Sequence, residues 1–293
     1  MSGTATFVRA LDHYILQVHD LEAAGASYER LGFQVLPRME HIEIGTSNRV
    51  VQIGNTYLEL FGGLAGVDHP LISEYLPRFD CGEGLSHVSL RSYDFEADHR
   101  EAAELGLNPR EMYSARRKID MPHGSIDETD SSFFYIWRPQ RLYLSLFLSV
   151  HNKPETIWIP EYLSHPNTAT ETRGITWVSD DPQQDIEYFQ ALYRTEPTIN
   201  APDEVHFMGA RQDFARIISR ERAQDDYQDA RLDICNKLAG YPVALTFDVA
   251  HLETCQAVLE ANDVPYDFIE NGVRVAADDA HGAIIDFRMR ENT

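Results

Sequence analysis

LDHYILQVHDLEAAGASYERLG, residues 11–32, is the stretch on which the fold turns. Its first eight residues, 11–18, read as a strand. Asp20 then stands where a helix N-cap belongs, the helix runs through Ala23, Tyr28 and Leu31, and Gly32 supplies the stop. Three strand-like runs follow at 33–41, 48–53 and 56–61, with Gly45 and the pair Gly54-Asn55 as turns. The order is strand, helix, strand, strand, strand.

That order recurs. A second copy opens with LSHVSLR (85–91), continues through a helix at 94–105 closed by Gly106, and predicts strands near 111–119, 131–138 and 142–150. A third opens at Gly174 with ITWVSD, has a helix at 182–193 and strands near 205–208 and 214–220. A fourth opens with VALTFDV (243–249), has a helix at 251–262 and strands near 266–270, 272–276 and 283–288. The charged stretch 220–233 reads as a solvated insertion in the third copy. Pro154, Pro160 and Pro166 mark 152–172 as a linker. The expected fold is therefore α+β: four βαβββ modules in two pairs, over 8–151 and 173–293.

The 293 residues carry 47 acidic against 25 basic side chains, a formal charge of -22. That balance excludes a nucleic-acid binder held by net charge and a polybasic membrane anchor. An anionic ligand would need a local basic pocket against the overall field. At 43% hydrophobic and 11% aromatic content, the chain can build a core. There is no apolar run of membrane-spanning length and no secretory leader pattern at the start. Cys81, Cys235 and Cys255 are odd in number, widely spaced and without zinc-finger spacing, so they read as buried thiols of a cytoplasmic protein. P-loop, dinucleotide-binding and nucleophile-elbow motifs are missing.

Four βαβββ units resemble the vicinal oxygen chelate superfamily, which includes the glyoxalases, bleomycin resistance proteins and extradiol dioxygenases, and within it the glyoxalase-like domain proteins. LDHYILQVHDLEAA, GTSNRVVQIGNTYLELFGG and SHPNTATETRGITWVSDDP carry the resemblance. It implies paired modules whose curved sheets form a metal-holding cup, with ligands on the first and last strands of each unit. His13, Glu59 and His87 fall at such places. The fourth, on the last strand of copy two, offers Ser145 or Ser149 depending on alignment, and no carboxylate. Two imidazoles and a carboxylate leave coordination positions open. That set favours Fe(II), with Mn(II) or Zn(II) also suited. Third- and fourth-copy counterparts of His13 fall near Gly174 and Ala244, which cannot ligate, so the C-terminal pair is expected to be scaffold, lid or dimer surface.

Other residues carry two readings each. His41 is a base beside the metal or a surface-edge residue. His123, in the loop IDMPHGSIDET (119–129), is an acid/base or an exposed loop histidine. Tyr57, facing the same way as Glu59, and Tyr135 and Trp137 are candidates to stack on a substrate, with packing as the alternative. His165 and Asn167 reach into the cup or fix the linker turn. Arg116, Arg117 and Lys118 form a basic cluster that reads as a carboxylate site or a solvated strand edge, and strand alternation directs only part of it to one face. The resulting expectation is a metal-dependent enzyme on a small oxygenated substrate, with dioxygenase chemistry slightly favoured. A lyase or isomerase and a metal-free sequestering protein are the rivals, and a homodimer is left open.

Overall fold

The computed structural model describes residues 7–290. Unit one comprises β1 (Leu11–Gln17), α1 (Leu21–Arg30), β2 (Met39–Glu40), β3 (Ser47–Ile53) and β4 (Thr56–Gly62), followed by α2 (Ile72–Phe79). Unit two comprises β5 (Gly84–Arg91), α3 (Phe95–Glu104), β6 (Tyr113–Asp120), β7 (Ile126–Ile136) and β8 (Leu146–His151). Unit three comprises β9 (Ala169–Ser179), α4 (Ile186–Tyr193), β10 (Ile199–Ala201), β11 (Glu204–Met208) and β12 (Phe214–Ser219), extended by α5 (Arg220–Asp226). Unit four comprises β13 (Gly240–Val249), α6 (Leu252–Ala261), β14 (Asp267–Ile269), β15 (Gly272–Val275) and β16 (Ile284–Met289).

Each pair of units makes one mixed sheet of 8 strands, in the orders β2-β3-β4-β1-β5-β8-β7-β6 and β10-β11-β12-β9-β13-β16-β15-β14. The first strands of paired units lie side by side and antiparallel, β1 on β5 and β9 on β13. Each pair is thereby related by a pseudo-twofold axis through its centre. Alternation along the strands sends Tyr14, Leu16, Leu58, Leu60, Val88 and Leu90 into one core shared with the second sheet. The opposite face of the first sheet is the cup. The expected caps form: the Asp20 side chain accepts from the Glu22 and Ala23 amides, and Asp94 accepts from Ala97. No helix among the described residues is long and apolar enough to cross a membrane.

Several expectations need correction. Only Met39–Glu40 of 33–41 is strand. Pro37 has no amide hydrogen for a ladder, and the Leu36 amide bonds instead to the Val50 carbonyl at 2.8 Å. The stretch 119–129 is a hairpin rather than a loop, with β6 pairing to β7 as far as Asp120 and Ile126. Helix α2 lies where no element was expected.

The insertion is not a solvated excursion. Ala223, Tyr227 and Ala230, with Leu232, Ile234 and Leu238 beside them, pack on Val178, Ile218, Ala244 and Ile284. They fill the cup face of the second sheet. The cysteines are not three free thiols either: Cys81 and Cys235 form a disulfide across 154 residues, joining the segment after α2 to the insertion. Cys255 alone is free and buried. The inference of a reducing compartment therefore loses its cysteine argument.

Candidate functional site

The cleft opens on the cup face of the first sheet and holds about 630 Å³ of empty space, mouth included. Its floor carries His13 and Ile15 from β1, Tyr57, Glu59 and Phe61 from β4, and Phe147 and Ser149 from β8. Arg117 of β6 and Phe133 and Tyr135 of β7 form one wall, and Leu71 and Tyr75, at and in α2, another. The chemistry is thus a small polar centre of His13, His41, Glu59 and Arg117 inside an aromatic rim.

Glu59 is 5% exposed. Its Oε1 accepts from Asn48 Nδ2 at 2.5 Å and lies 3.4 Å from His41 Nε2 and 3.9 Å from an Arg117 nitrogen. Burial pushes this carboxyl up, but His41, Arg117 and His13 pull it below its ordinary range, so it is ionised at neutral pH. Burial drives His41 down to about 4, and its Nδ1 lies 2.9 Å from Thr46 Oγ1.

His13 is oriented from behind. Its Nδ1 lies 2.7 Å from Asp12 Oδ1, and its ring stacks on Tyr57 with centroids 4.4 Å apart. Asp12 Oδ1 also meets His151 Nε2 at 2.9 Å, and Asp12 Oδ2 accepts from Arg91 Nε at 2.9 Å. A neighbour of His13 on a regular strand would face the other way. Here the β1–β5 register steps from Leu11↔Leu90 to His13↔Ser89, two residues against one. That bulge at Asp12 brings both side chains to one side. Burial raises the Asp12 carboxyl, but His151 and His13 hold it well below its usual range. Burial also keeps the His13 imidazole low, hence neutral at neutral pH. Among the described residues, Asp12, His13 and His151 are the set of three metal-capable side chains with ligand atoms within 4.8 Å of one another.

His87 lies on the same face but is sealed. It is 0% exposed, and neither ring nitrogen has a hydrogen-bond partner. Tyr75, Tyr135 and Tyr143 enclose it at centroid distances of 4.8, 5.2 and 5.1 Å. Desolvation lowers its pKa to about 3. Helix α2 forms the cover. It is pinned by Gln17 Nε2 donating to the Tyr75 carbonyl at 2.8 Å and by Tyr143 Oη donating to the Glu74 carbonyl at 2.9 Å. Because Tyr75 and Tyr135 line the cleft themselves, His87 stands one aromatic ring behind it.

Strand register settles which residues correspond. Ile15 pairs with Glu59 in unit one, and its pseudo-twofold mate Ser89 pairs with Phe147 in unit two. The place matching Glu59 thus holds Phe147, neither Ser145 nor Ser149. Ser149 lines the cleft and is hydrogen-bonded to Ser89. Ser145 lies outside it, accepting from the Arg138 amide at 2.9 Å. In the second sheet the counterparts of His13 and His87 are Gly174 and Ala244, as expected, and that of Glu59 is Arg216.

The remaining candidates divide. Tyr57, Tyr135 and His41 line the cleft. Trp137 follows the end of β7 and stacks under Arg110 outside it. His123 is exposed at the turn between β6 and β7, also outside it. His165 accepts from the Gln34 amide at 3.0 Å and donates to the Gln52 carbonyl at 2.7 Å. Asn167 donates to the Leu31 carbonyl and accepts from the Ala169 amide. Both serve the linker rather than the cleft. Sequence reading did not single out Asp12, His151, Asn48, Tyr75 and Phe147. Alternation along 147–151 from Ser149 was the one available signal for Phe147 and His151.

Residues 11–193 match the glyoxalase-like domain family. The chain belongs to that family. Solved structures share its architecture at low identity. A hypothetical protein from Staphylococcus aureus superposes with a TM-score of 0.66 at 13% identity, covering 97% of this chain and 100% of that one. A mutant of 4-hydroxymandelate synthase from Streptomyces coelicolor gives 0.60 at 12%, covering 97% and 94%. A xylose isomerase-like TIM barrel/4-hydroxyphenylpyruvate dioxygenase fusion protein gives 0.60 at 12%, covering 100% of this chain and 51% of that one. No curated protein matches the chain.

Proposed function

We propose that the chain is a divalent-metal-dependent enzyme acting on a small oxygenated substrate in the N-terminal cleft, with His13, Glu59 and His87 as ligands. The observation that carries this reading is His87. A buried imidazole with two orphaned nitrogens is costly to keep, and it sits at the pseudo-twofold mate of His13. The donor set fits an ion of Fe(II), Mn(II) or Zn(II) character: both imidazoles are neutral and the carboxylate ionised at neutral pH. Asp12 fits as the group that fixes the His13 tautomer through Nδ1 and leaves Nε2 for the metal. Asp12 is less suited to ligation itself, because its two oxygens already meet His13, His151 and Arg91. For His87 to join the others, the Tyr75 ring must turn aside.

A bound ion would supply Lewis-acid stabilisation of two neighbouring substrate oxygens and, as Fe(II), a site for oxygen. The protein would do the rest. Tyr57, Phe133 and Phe147 hold a flat substrate and exclude water. Neutral His41 keeps a proton-bearing or proton-accepting nitrogen beside Glu59. Phe147 in place of a second carboxylate leaves proton-shuttling isomerisation without its paired base. This, with dioxygenase-related names among the structural neighbours, favours dioxygenase over lyase or isomerase chemistry.

Metal analysis of protein purified without chelator tests the proposal, alongside His13→Ala, Glu59→Gln and His87→Leu. Stoichiometric metal in the wild type and its loss in all three variants is the expected result. Full occupancy in His87→Leu and Glu59→Gln with loss in Asp12→Asn and His151→Gln would move the site to the Asp12 cluster. No metal taken up by the wild type would leave the sequestering-protein reading. Oxygen uptake with Fe(II) and a catechol panel then separates the dioxygenase from the lyase branch.

A further inference from the structure

Arg117 is a buried cation that lies over the Tyr57 ring, 5.8 Å from its centroid, and has no hydrogen-bonded carboxylate partner. It is 7% exposed, its Nε has no hydrogen-bond partner, and its nearest carboxylate oxygen is Glu59 Oε1 at 3.9 Å. That spacing is an ion pair without a hydrogen bond. Its neighbours are spent differently. Arg116 donates to Glu43 from its backbone amide and to Glu128 from its side chain, and Lys118 is exposed. Alternation on β6 therefore sends one member of the basic cluster inward, into a cleft whose other walls are Tyr57, Phe61, Phe133, Tyr135 and Phe147.

A guanidinium forms five hydrogen bonds in a fixed fork that matches a carboxylate, and leaving it unsatisfied in a buried site is costly. Pure neutralisation of Glu59 would be served better by direct contact. Asn48 takes that contact instead. In a chain of net charge -22, an anion reaches this cleft only against the overall field. An inward arginine at its wall is the local device that the field demands. We propose that Arg117 is the receptor for a substrate carboxylate, and that the substrate class is a small aryl carboxylate whose ring lies among the aromatic side chains while its anionic end meets the Arg117 fork. The inference rests on the cleft being the substrate site, and it is independent of whether a metal occupies that site.

Phenylacetate and its neutral isostere phenylacetamide are the probes, titrated by calorimetry into the full chain with and without EDTA. Charge-assisted hydrogen bonds predict that the carboxylate binds about ten- to a hundredfold tighter than the amide. Arg117→Met should abolish that preference, and Arg117→Lys should keep part of it, since the charge remains but the fork is lost. The Arg117 Nε–H resonance, assigned by its loss in Arg117→Lys, should move on adding phenylacetate to the wild type. A merely structural arginine would not move it. Equal affinity for the two probes, or a carboxylate preference that survives in Arg117→Met, overturns the proposal. Should Arg117→Met fail to fold, the wild-type pair of probes and the Nε–H signal decide. Metal content of the same samples is read separately, so loss of the metal reading with the preference intact leaves Arg117 standing.

Discussion

His87→Leu separates a ligand from a core residue, because the two roles push stability in opposite directions. The wild-type imidazole keeps both nitrogens unpartnered in a cage of three tyrosines. Each unsatisfied buried polar group costs about 1–3 kcal/mol, while an imperfect shape match for leucine returns up to about 1.5 kcal/mol of that. With two such nitrogens, metal-free His87→Leu should therefore be more stable than wild type by at least about 0.5 kcal/mol at pH 7. The gain should grow with acid. The folded-state pKa of His87 is about 3, against an ordinary value of 6.5. A histidine depressed on folding contributes stability above its unfolded pKa and loses it as pH falls from there toward its folded pKa, because the unfolded chain takes up the proton first. At pH 5 the unfolded group lies 1.5 units into that window. At about 1.4 kcal/mol per unit, wild type loses about 2 kcal/mol through this residue alone. Urea denaturation in EDTA at pH 7 and pH 5 measures both differences. With metal added in excess, wild type should gain stability by mass action and the variant should not. A variant destabilised by more than about 1 kcal/mol at pH 7, or one with the wild-type acid slope, would refute the reasoning about the cage.

Three further outcomes follow from the same geometry. Asp12→Asn leaves His13 in place but weakens its orienting partner, so metal affinity should fall about 10–100-fold, read by competition with a chelator. Removing the disulfide by Cys81→Ser frees a chain segment of 154 residues, worth at most about 5 kcal/mol by loop entropy, seen as a lower urea midpoint that wild type reproduces only under reductant. Tyr227→Ala should empty the second cup, cost about 3–5 kcal/mol and leave ligand binding in the first cleft unchanged by calorimetry.

The repeat was legible because its signals are local. Asp20 and Asp94 cap helices, Gly32 and Gly106 end them with φ of +82° and +72°, and strand alternation orders the rest. Alternation placed Glu59 on one face with Tyr57 and Phe61, and the resemblance to the glyoxalase superfamily brought His13 to it. What escaped depends on two strands at once. Asp12 reaches His13 through an extra residue on β1 opposite β5, which alternation on β1 alone forbids. Phe147 matches Glu59 through the register of β5 on β8, whereas the sequence alone leaves Ser145 and Ser149 in contention. The insertion's many charges concealed an apolar stripe of Ala223, Tyr227 and Ala230. Helix α2 owes its place to tertiary bonds such as that from Gln17 to Tyr75.

The two cups differ in how their polar faces are satisfied. Both are built on the same strand order, and both present a polar face that must be either satisfied or left for a ligand. In the second, that face is satisfied from within. Arg274 meets Asp286 at 2.6 Å, Arg216 meets Glu204 at 2.7 Å, and Tyr227 lies under Arg274 at 4.4 Å. The cation at the position of Glu59 has its acids beside it and the insertion over it. In the first, charges are set but not closed: Arg117 and Glu59 stand 3.9 Å apart, and His87 has no partner. Buried polar groups in folded proteins are almost always paired, and within one chain the duplicated sheet shows that this fold can pair them. The unpaired set in the first cup is therefore a property of that site's residues rather than of the architecture, and a ligand carrying both an anionic group and metal-binding oxygens would complete it.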